Sequence, residues 1–439
     1  MTEHQRALAE LERLDGTVTT EIINDLVNGH ADERRRMRRL YDEYRGEVPI
    51  LDRKASGGDG GVSMVNDYRG DIIDTITGYV FGKPITYTVE DASDERVHEL
   101  LRRFLADNGI ADLDARTGKT TSICGSASRL CYINTGGTVR VMAVPPWESV
   151  FIRDGSRDDI RYAMRYYTVE TQERGVWREC RRIEWYDARQ VTYLVEDDKG
   201  AFVSDPLEPL NPCPHMFDGV PLISFQNNDE EQGDFEKVVS LIDGYDRAVS
   251  YDQDEIEALR HAYLKITGAT LDADDAEAAR LSRSFNIPDG GDIEFLVKNI
   301  NDRFNENHIK RLEENIYRFS HCPNMSDEKF SGAGQSGESR KWKLFGLENR
   351  SIAKERKFNA GLRAQFAVVT SAWRRMGYGV NAGDIAMTFS RNMPVELKYE
   401  AEVTNLLKGV VSERTRLRHL SLVNDVESEL SAMNGDVGG

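Results

Sequence analysis

The sequence predicts an α+β chain, and three changes of apolar period along it carry that prediction. Helical spacing runs through Val65–Phe81, where Ile72, Ile73, Ile76, Tyr79 and Val80 recur on one face. From Ser128 to Gln226 the period falls to two, with turn residues between the runs. Beyond Phe235 the helical period returns and holds over long stretches. Strands gathered in one part and helices in another mark an α+β fold rather than an alternating α/β sheet.

Thr2 and Gln5 form a capping box that opens a short helix. A second helix is expected near Asn24–Tyr44, carrying Arg34, Arg35, Arg36, Arg38 and Arg39. Ala55–Ser63 (ASGGDGGVS) reads as a Gly-rich loop. The helix at Val65–Phe81 is stopped by Gly82 and Pro84, and a strand follows at Ile85–Val89. Glu95–Leu105 and Ile110–Ser126 read as helices. Leu130–Asn134 and Thr138–Ala143 flank Thr135-Gly136-Gly137, a hairpin signal. Ile160–Thr168, Val176–Trp185, Gln190–Val195 and Ala201–Ser204 continue one antiparallel meander, Asp205–Gly219 is a Pro-rich loop, and Val220–Gln226 is a last strand.

Phe235–Tyr263 is a long helical pattern, with Val238, Ile242, Tyr245, Val249, Ile256 and Leu259 along it. Next come a strand at Leu264–Thr267, a short acidic helix at Ala273–Ser282, and a hairpin of Phe285–Ile287 with Ile293–Val297 around Pro288-Asp289-Gly290-Gly291. Asp302–His321 carries Ile309, Leu312, Ile316 and Phe319 as an a/d-like seam. A Gly/Ser-rich loop, Asn324–Ser339, leads into a very long helix, Ser339–Met376. A strand at Asp384–Ser390 and short helices up to Met433 close the chain. Two long helices thus bracket a small α/β insert, Ala262–Asn301, an unusual layout for a soluble enzyme.

The chain has 439 residues, room for two to four domains. Lys+Arg number 57 against 75 Asp+Glu, a formal net charge of −18. That balance excludes a protein that coats nucleic acid over its whole surface, since phosphate neutralisation supplies most of such affinity. It permits one that must let DNA slide, because like charges weaken sticking. The five cysteines form no C-x-x-C pair, so neither zinc nor a disulfide framework is expected and a reducing compartment fits. The start is polar and helical, without the pattern of a secretory leader, and no run reaches the roughly 18 apolar residues of a membrane span.

Enzyme motifs are weak. Gly118-Lys119-Thr120 ends like a phosphate-binding loop, but Leu113 stands where the first glycine belongs and the segment reads as helix. No H-E-x-x-H or G-x-S-x-G occurs, and His321-Cys322 are adjacent, pointing to different faces. Asp229, Glu230, Glu231, Asp234 and Glu236 precede or open one helix, and Asp272, Asp274, Asp275 and Glu277 open another. Magnesium-dependent phosphoryl chemistry could use such clusters. Acids at a helix N-terminus are better explained by the helix dipole, each worth about 0.3–1 kcal/mol.

Charge separates strongly within the chain. Glu338–Met376 holds ten basic residues against three acids. Its partners are either nucleic-acid phosphates or acidic surfaces of neighbouring copies. Ion pairing between copies is the favoured reading for Arg350–Arg363, and phosphate contact is an alternative for Arg340, Lys341 and Lys343 beside the flexible loop. Glu236–Arg260 has seven acids against three bases. If that face, including Asp243 and Asp246, met a neighbour, Lys310 and Arg311 would be candidate partners; if it lined a pore, DNA would not bind the wall.

The order of these pieces resembles a known family. Val65–Tyr87 (VNDYRGDIIDTITGYVFGKPITY), Asp234–Gly268 (DFEKVVSLIDGYDRAVSYDQDEIEALRHAYLKITG), and Phe389–Pro394 with Val411–Glu429 (VSERTRLRHLSLVNDVESE) are similar to three ordered stretches of the portal proteins of tailed bacteriophages, siphovirus type. The resemblance spans roughly Arg38–Glu429. It implies a portal fold: an α/β wing with N-terminal arm over 1–228, stem helices at 229–261 and 302–322, a clip at 262–301, a tunnel loop at 323–339, a long helix and return strand at 340–391, and a short crown at 392–439. It further implies a ring, typically of twelve subunits, that passes double-stranded DNA during packaging and ejection.

No catalysis, cofactor or metal is expected; a separate ATP-driven terminase does the work. Terminase and then head–tail adaptor proteins would dock at the clip, through Asp272, Asp274, Asp275, Phe285, Ile287, Ile293 and Phe295. Asp327, Glu328, Lys329, Ser331, Gly332, Gly334, Gln335, Arg340, Lys341 and Lys343 would face DNA. Major capsid and scaffold proteins would surround the ring at the portal vertex of the virion, after assembly in the host cytoplasm. The rival readings are a magnesium-dependent nucleic-acid-processing enzyme and a capsid or adaptor ring without a DNA channel.

Overall fold

The structure, a computed structural model, describes the chain except residues 1–2, 15, 54–60, 90–94, 155–158, 174–175, 260–262, 268–289, 297–301, 326–341, 394–396, 419, 421, 424–425, 427–428, 431 and 434–439. Residues 1–389 form one unit and 390–439 a second, smaller one.

Three helices lead in: α1 (Glu3–Arg13), α2 (Thr20–Gly29) and α3 (Ala31–Tyr44). Thr19 caps α2 by accepting the Ile22 amide. Helix α4 (Tyr68–Phe81) is capped by Asp67, which accepts the Gly70 amide at 2.9 Å. Strand β1 (Thr86–Val89), α5 (Glu95–Asp107) and α6 (Ile110–Cys124) follow. The strands are β2 (Ser126–Ile133), β3 (Val139–Val144), β4 (Ser149–Arg153), β5 (Ile160–Glu173), β6 (Val176–Tyr186), β7 (Gln190–Glu196), β8 (Phe202–Ser204), β9 (Cys213–Pro214) and β10 (Leu222–Gln226). Beyond them lie α7 (Val239–Leu259), β11 (Tyr263–Thr267), β12 (Asp292–Leu296), α8 (Asp302–Ser320), α9 (Phe345–Arg375) and β13 (Ile385–Thr388). The second unit holds α10 (Leu397–Leu406) and α11 (Glu413–Leu417).

Strands β5 to β8 form the expected antiparallel meander, but the β2–β3 hairpin belongs to a separate sheet. One sheet has the order β10-β2-β3, and a larger one runs β4-β5-β6-β7-β8 with β9 paired to β7. The last strand returns to the first: Leu222 lies opposite Leu130 and Gln226 opposite Ser126. Period-two patterning selects strands but not partners, so this return is invisible locally. Strand β4 escapes the sequence reading because its five residues, just after Pro145-Pro146, are too few to display an alternation.

Apolar residues fix the layers. Ala7, Leu11, Ile22, Ile23 and Leu26 of α1 and α2 cover Val150, Ile152, Met164, Tyr166, Ile183 and Trp185 of the large sheet. Leu130, Val144, Ala163, Tyr186, Val191 and Leu222 join the two sheets. Helix α9 crosses β10, with Phe358 tilted against Phe225 and Trp373 edge-on to Phe104. Each fully buried side chain of this size contributes roughly 1.5–3 kcal/mol.

Several helix boundaries differ from expectation: α4 starts at Tyr68 rather than Val65, and α7 at Val239 rather than Phe235. The helix expected over Asn24–Tyr44 is two helices that meet at His30, directly after Gly29, a poor helix former. His30 Nδ1 and the Tyr166 hydroxyl are 2.8 Å apart, which ties the break to the sheet. The long helix is described over Phe345–Arg375; its expected start, Ser339, lies outside the described residues.

Gly125 ends α6 with φ of +87°, and a Cβ there would stand 1.8 Å from the Glu231 carbonyl oxygen. Gly125→Ala is expected to lose on the order of 3 kcal/mol, from left-handed backbone strain plus the clash. Denaturant unfolding of the purified variant measures it.

Candidate functional site

The acidic face of α7 is covered by the chain's own basic residues. Residues 61–69 run along it as a strap: the amides of Val62, Met64 and Asn66 donate to Asp254, Ser250 and Asp246 at 2.9, 3.0 and 2.9 Å. The buried Arg69 guanidinium reaches Glu43 at 3.1 Å, Asp243 at 2.5 Å and Asp246 at 3.8 Å. Burial pushes the Asp246 carboxyl up, opposed by its hydrogen bonds from Asn66. Arg53 pairs with Asp254, and Arg36 with Glu236 at 2.7 Å. Asp243 and Asp246 are therefore satisfied by Arg69 and Asn66. Lys310 and Arg311, expected as their partners, are exposed and make no such pair among the described residues. Sequence reasoning missed Arg36, Arg53 and Arg69, which lie far away along the chain.

Helices α7 and α8 pack along each other, with Ile242 and Ile316 fully buried. The Tyr68 ring stands edge-on to both Tyr245 and Tyr317, with centroids 4.9 and 5.7 Å away. At the far end β11 and β12 pair only with each other among the described strands. Ile293 lies opposite Ile266 and Phe295 opposite Leu264. The partner expected for that strand, Phe285–Ile287, lies outside the described residues, as do Asp272, Asp274 and Asp275.

At the near end a buried carboxylate gathers several segments. Asp234 Oδ2 is 2.9 Å from Lys354 Nζ, and Oδ1 accepts from Arg350 Nε at 3.1 Å and Asn227 Nδ2 at 2.9 Å. Lys354 also donates to Ser122 Oγ at 2.7 Å. Burial alone would push the Asp234 carboxyl up, but the Lys354 ammonium and Arg350 guanidinium outweigh it and hold it down at about 2. Lys357 pairs with Asp229. Arg350, Lys354 and Lys357 thus find their anions within the chain, which corrects the expectation that this stretch pairs with neighbouring copies; Arg356 and Arg363 are exposed. The Asp229–Glu236 cluster is no dipole decoration either: Asp229, Asp234 and Glu236 each hold a distant cation.

Asp327, Glu328, Lys329, Ser331, Gly332, Gly334, Gln335, Arg340 and Lys341 lie outside the described residues. Lys343 lines an open groove of about 670 Å³ with Lys310, Tyr317, Arg318 and His321. His321 follows α8 with φ of +57°, and burial pushes the Cys322 thiol up to about 12. Gly118 sits inside α6 against the Phe81 ring, and Lys119 reaches Asp74 at 2.9 Å, so no loop there cradles phosphate. No metal-holding cluster of His, Cys, Asp or Glu occurs among the described residues, and none of their helices is long and apolar enough to cross a membrane.

A family model described as "Phage portal protein, SPP1 Gp6-like" matches residues 23–435. The chain belongs to this portal family. The portal protein of Bacillus phage SPP1 is 25% identical over 421 residues, covering 91% of this chain and 80% of its own length. The portal protein of Clostridium phage phiCD119 is 24% identical over 220 residues, 48% of each chain. The portal match takes in the α7–α8 pair, the Asp234 cluster and the second unit alike.

Proposed function

We propose that copies of this portal protein close into a ring of twelve, through which double-stranded DNA enters and leaves the capsid.

 The paired helices α7 and α8, whose near ends are tied to the body while a separate two-stranded sheet continues beyond their far ends, are the observation that carries this reading. In this assignment 229–261 and 302–322 are the stem, 262–301 the clip, 323–339 the tunnel loop, 1–228 with 340–391 the arm and wing, and 392–439 the crown.

The described charges support a low-friction passage. Asp243, Asp246 and Asp254 of α7 are paired with cations inside the subunit, which lowers the negative charge that helix can present to DNA. The ring hydrolyses nothing; terminase drives DNA through it and docks at the clip, head–tail adaptors follow at the same end, and capsid and scaffold proteins hold the wing. A hairpin such as β11–β12 has free edges among the described residues on which a partner can add a strand.

Electron microscopy of the purified full-length protein, with light scattering for mass, tests the assignment. Rings with a central hole wide enough for a duplex are expected, with no magnesium-dependent cleavage of DNA. Monomers or small oligomers under all conditions, or turnover of DNA, would overturn it.

A further inference from the structure

One guanidinium holds both ends of the helix-pair excursion. The chain leaves the sheet-rich body at Asp234 and returns at Ser320. Arg350 Nη2 donates to the Asp234 carbonyl at 2.9 Å, its Nε to the Asp234 carboxylate at 3.1 Å, and its Nη1 to the Ser320 carbonyl at 2.6 Å. Ser320 is the last residue of α8, so its carbonyl has no partner within that helix. A cation there also complements the negative end of the helix. The next residue, His321, turns the chain away with a left-handed backbone.

Lys354 has a different environment. It is sealed inside, on the Asp234 carboxylate, Ser122 and Asn227, and touches nothing at the end of α8 in these bonds. Arg350 keeps 20% of its side-chain surface exposed. Lys354 therefore belongs to the core, whereas Arg350 spans the seam between the core and the helix pair.

We propose that Arg350 is a positioning residue that locks the departure and the return of residues 235–320 to α9 as one root. The lock sets where the pair stands against the sheets and fixes both anchors of the connecting segment 323–344. Its bearing on DNA passage rests on the ring reading above; the lock itself does not.

Hydrogen exchange on the purified full-length protein tests it. Losing charge-assisted bonds to two chain ends should speed exchange of residues 238–242 and 317–323 in Arg350→Met by roughly tenfold or more, while β2 and β5–β7 keep their rates. Arg350→Lys reaches the Asp234 carboxylate but cannot span to Ser320. It should restore protection of 238–242 and leave 317–323 fast. Arg363→Met, on the exposed face of the same helix, is the control and should change neither. Acceleration spread equally over the sheets, no acceleration at either end, or lysine restoring both ends would overturn the lock. These readouts hold whether or not rings form. In a packaging assay, heads built with Arg350→Met should retain less DNA than those built with Arg363→Met. Equal retention alongside a loosened root would overturn the link to DNA passage while leaving the lock standing.

Discussion

Asp234→Asn is expected to destabilise the protein by about 3–5 kcal/mol, the usual cost of removing one partner from a buried ion pair. The amide keeps the shape of the carboxylate but leaves the buried Lys354 ammonium and the Arg350 guanidinium without their anion. Urea unfolding followed by tryptophan fluorescence measures the loss. The wild-type protein should also show an acid limb. Its Asp234 carboxyl is held down at about 2, below its value in the unfolded chain. The resulting stabilisation is present in full above the unfolded carboxylate value of about 4 and is lost as pH falls from there toward 2. It amounts to roughly 2 kcal/mol. Asp234→Asn should lack this part of the acid limb; an unchanged limb would count against the charged pair.

Arg69→Met is expected to cost a similar 3–5 kcal/mol or so, for the opposite reason. Here the cation disappears and the buried carboxylates of Glu43 and Asp246 both lose it. The strap of residues 61–69 loses its anchor on α7, so limited proteolysis should cut between Arg53 and Arg69 before the sheets are attacked. Adding Asp246→Asn removes one of the two stranded charges. The double variant should recover part of the stability, and a double variant as unstable as Arg69→Met would argue that lost packing, not charge, is responsible.

The sequence announced what local chemistry governs. Helix α4 stops before Gly82 and Pro84, a signal that lies within a few residues of the end it controls, whereas its start, expected at Val65, falls at Tyr68 behind a capping Asp67. The turn at Gly136-Gly137 is equally local, with the Asn134 side chain accepting the Gly136 and Thr138 amides. The strand alternation of β5 and β6 follows from periodicity alone, but the expected α8 seam holds only in part: Ile316 is buried while Phe319 is exposed. Charge was legible as an excess but not as a pairing. Seven acids over Glu236–Arg260 could be counted, yet the cations that pair with Glu236, Asp243, Asp246 and Asp254 sit on Arg36, Arg53 and Arg69, which only the fold brings near. The bases of α9 suggested a neighbouring copy, and the fold supplies Asp229 and Asp234 instead. The return of β10 to β2 is a choice among edges that no alternation encodes. The portal resemblance, by contrast, was carried by ordered residues in the sequence itself, and the family match agrees with it.

Strand β1 finds its only described strand partner in β13, with Thr86 opposite Thr388 and Val89 opposite Ile385. On the ribosome, the early strand waits until nearly the whole polypeptide has emerged, because loop closure across so long a separation comes late in folding. An unfinished chain carries an unpaired edge, and the fold is zipped shut only by its far end. Translation itself thereby acts as an inspector: a truncated subunit lacks the closing strand, and a poorly closed copy is poor material for any larger assembly.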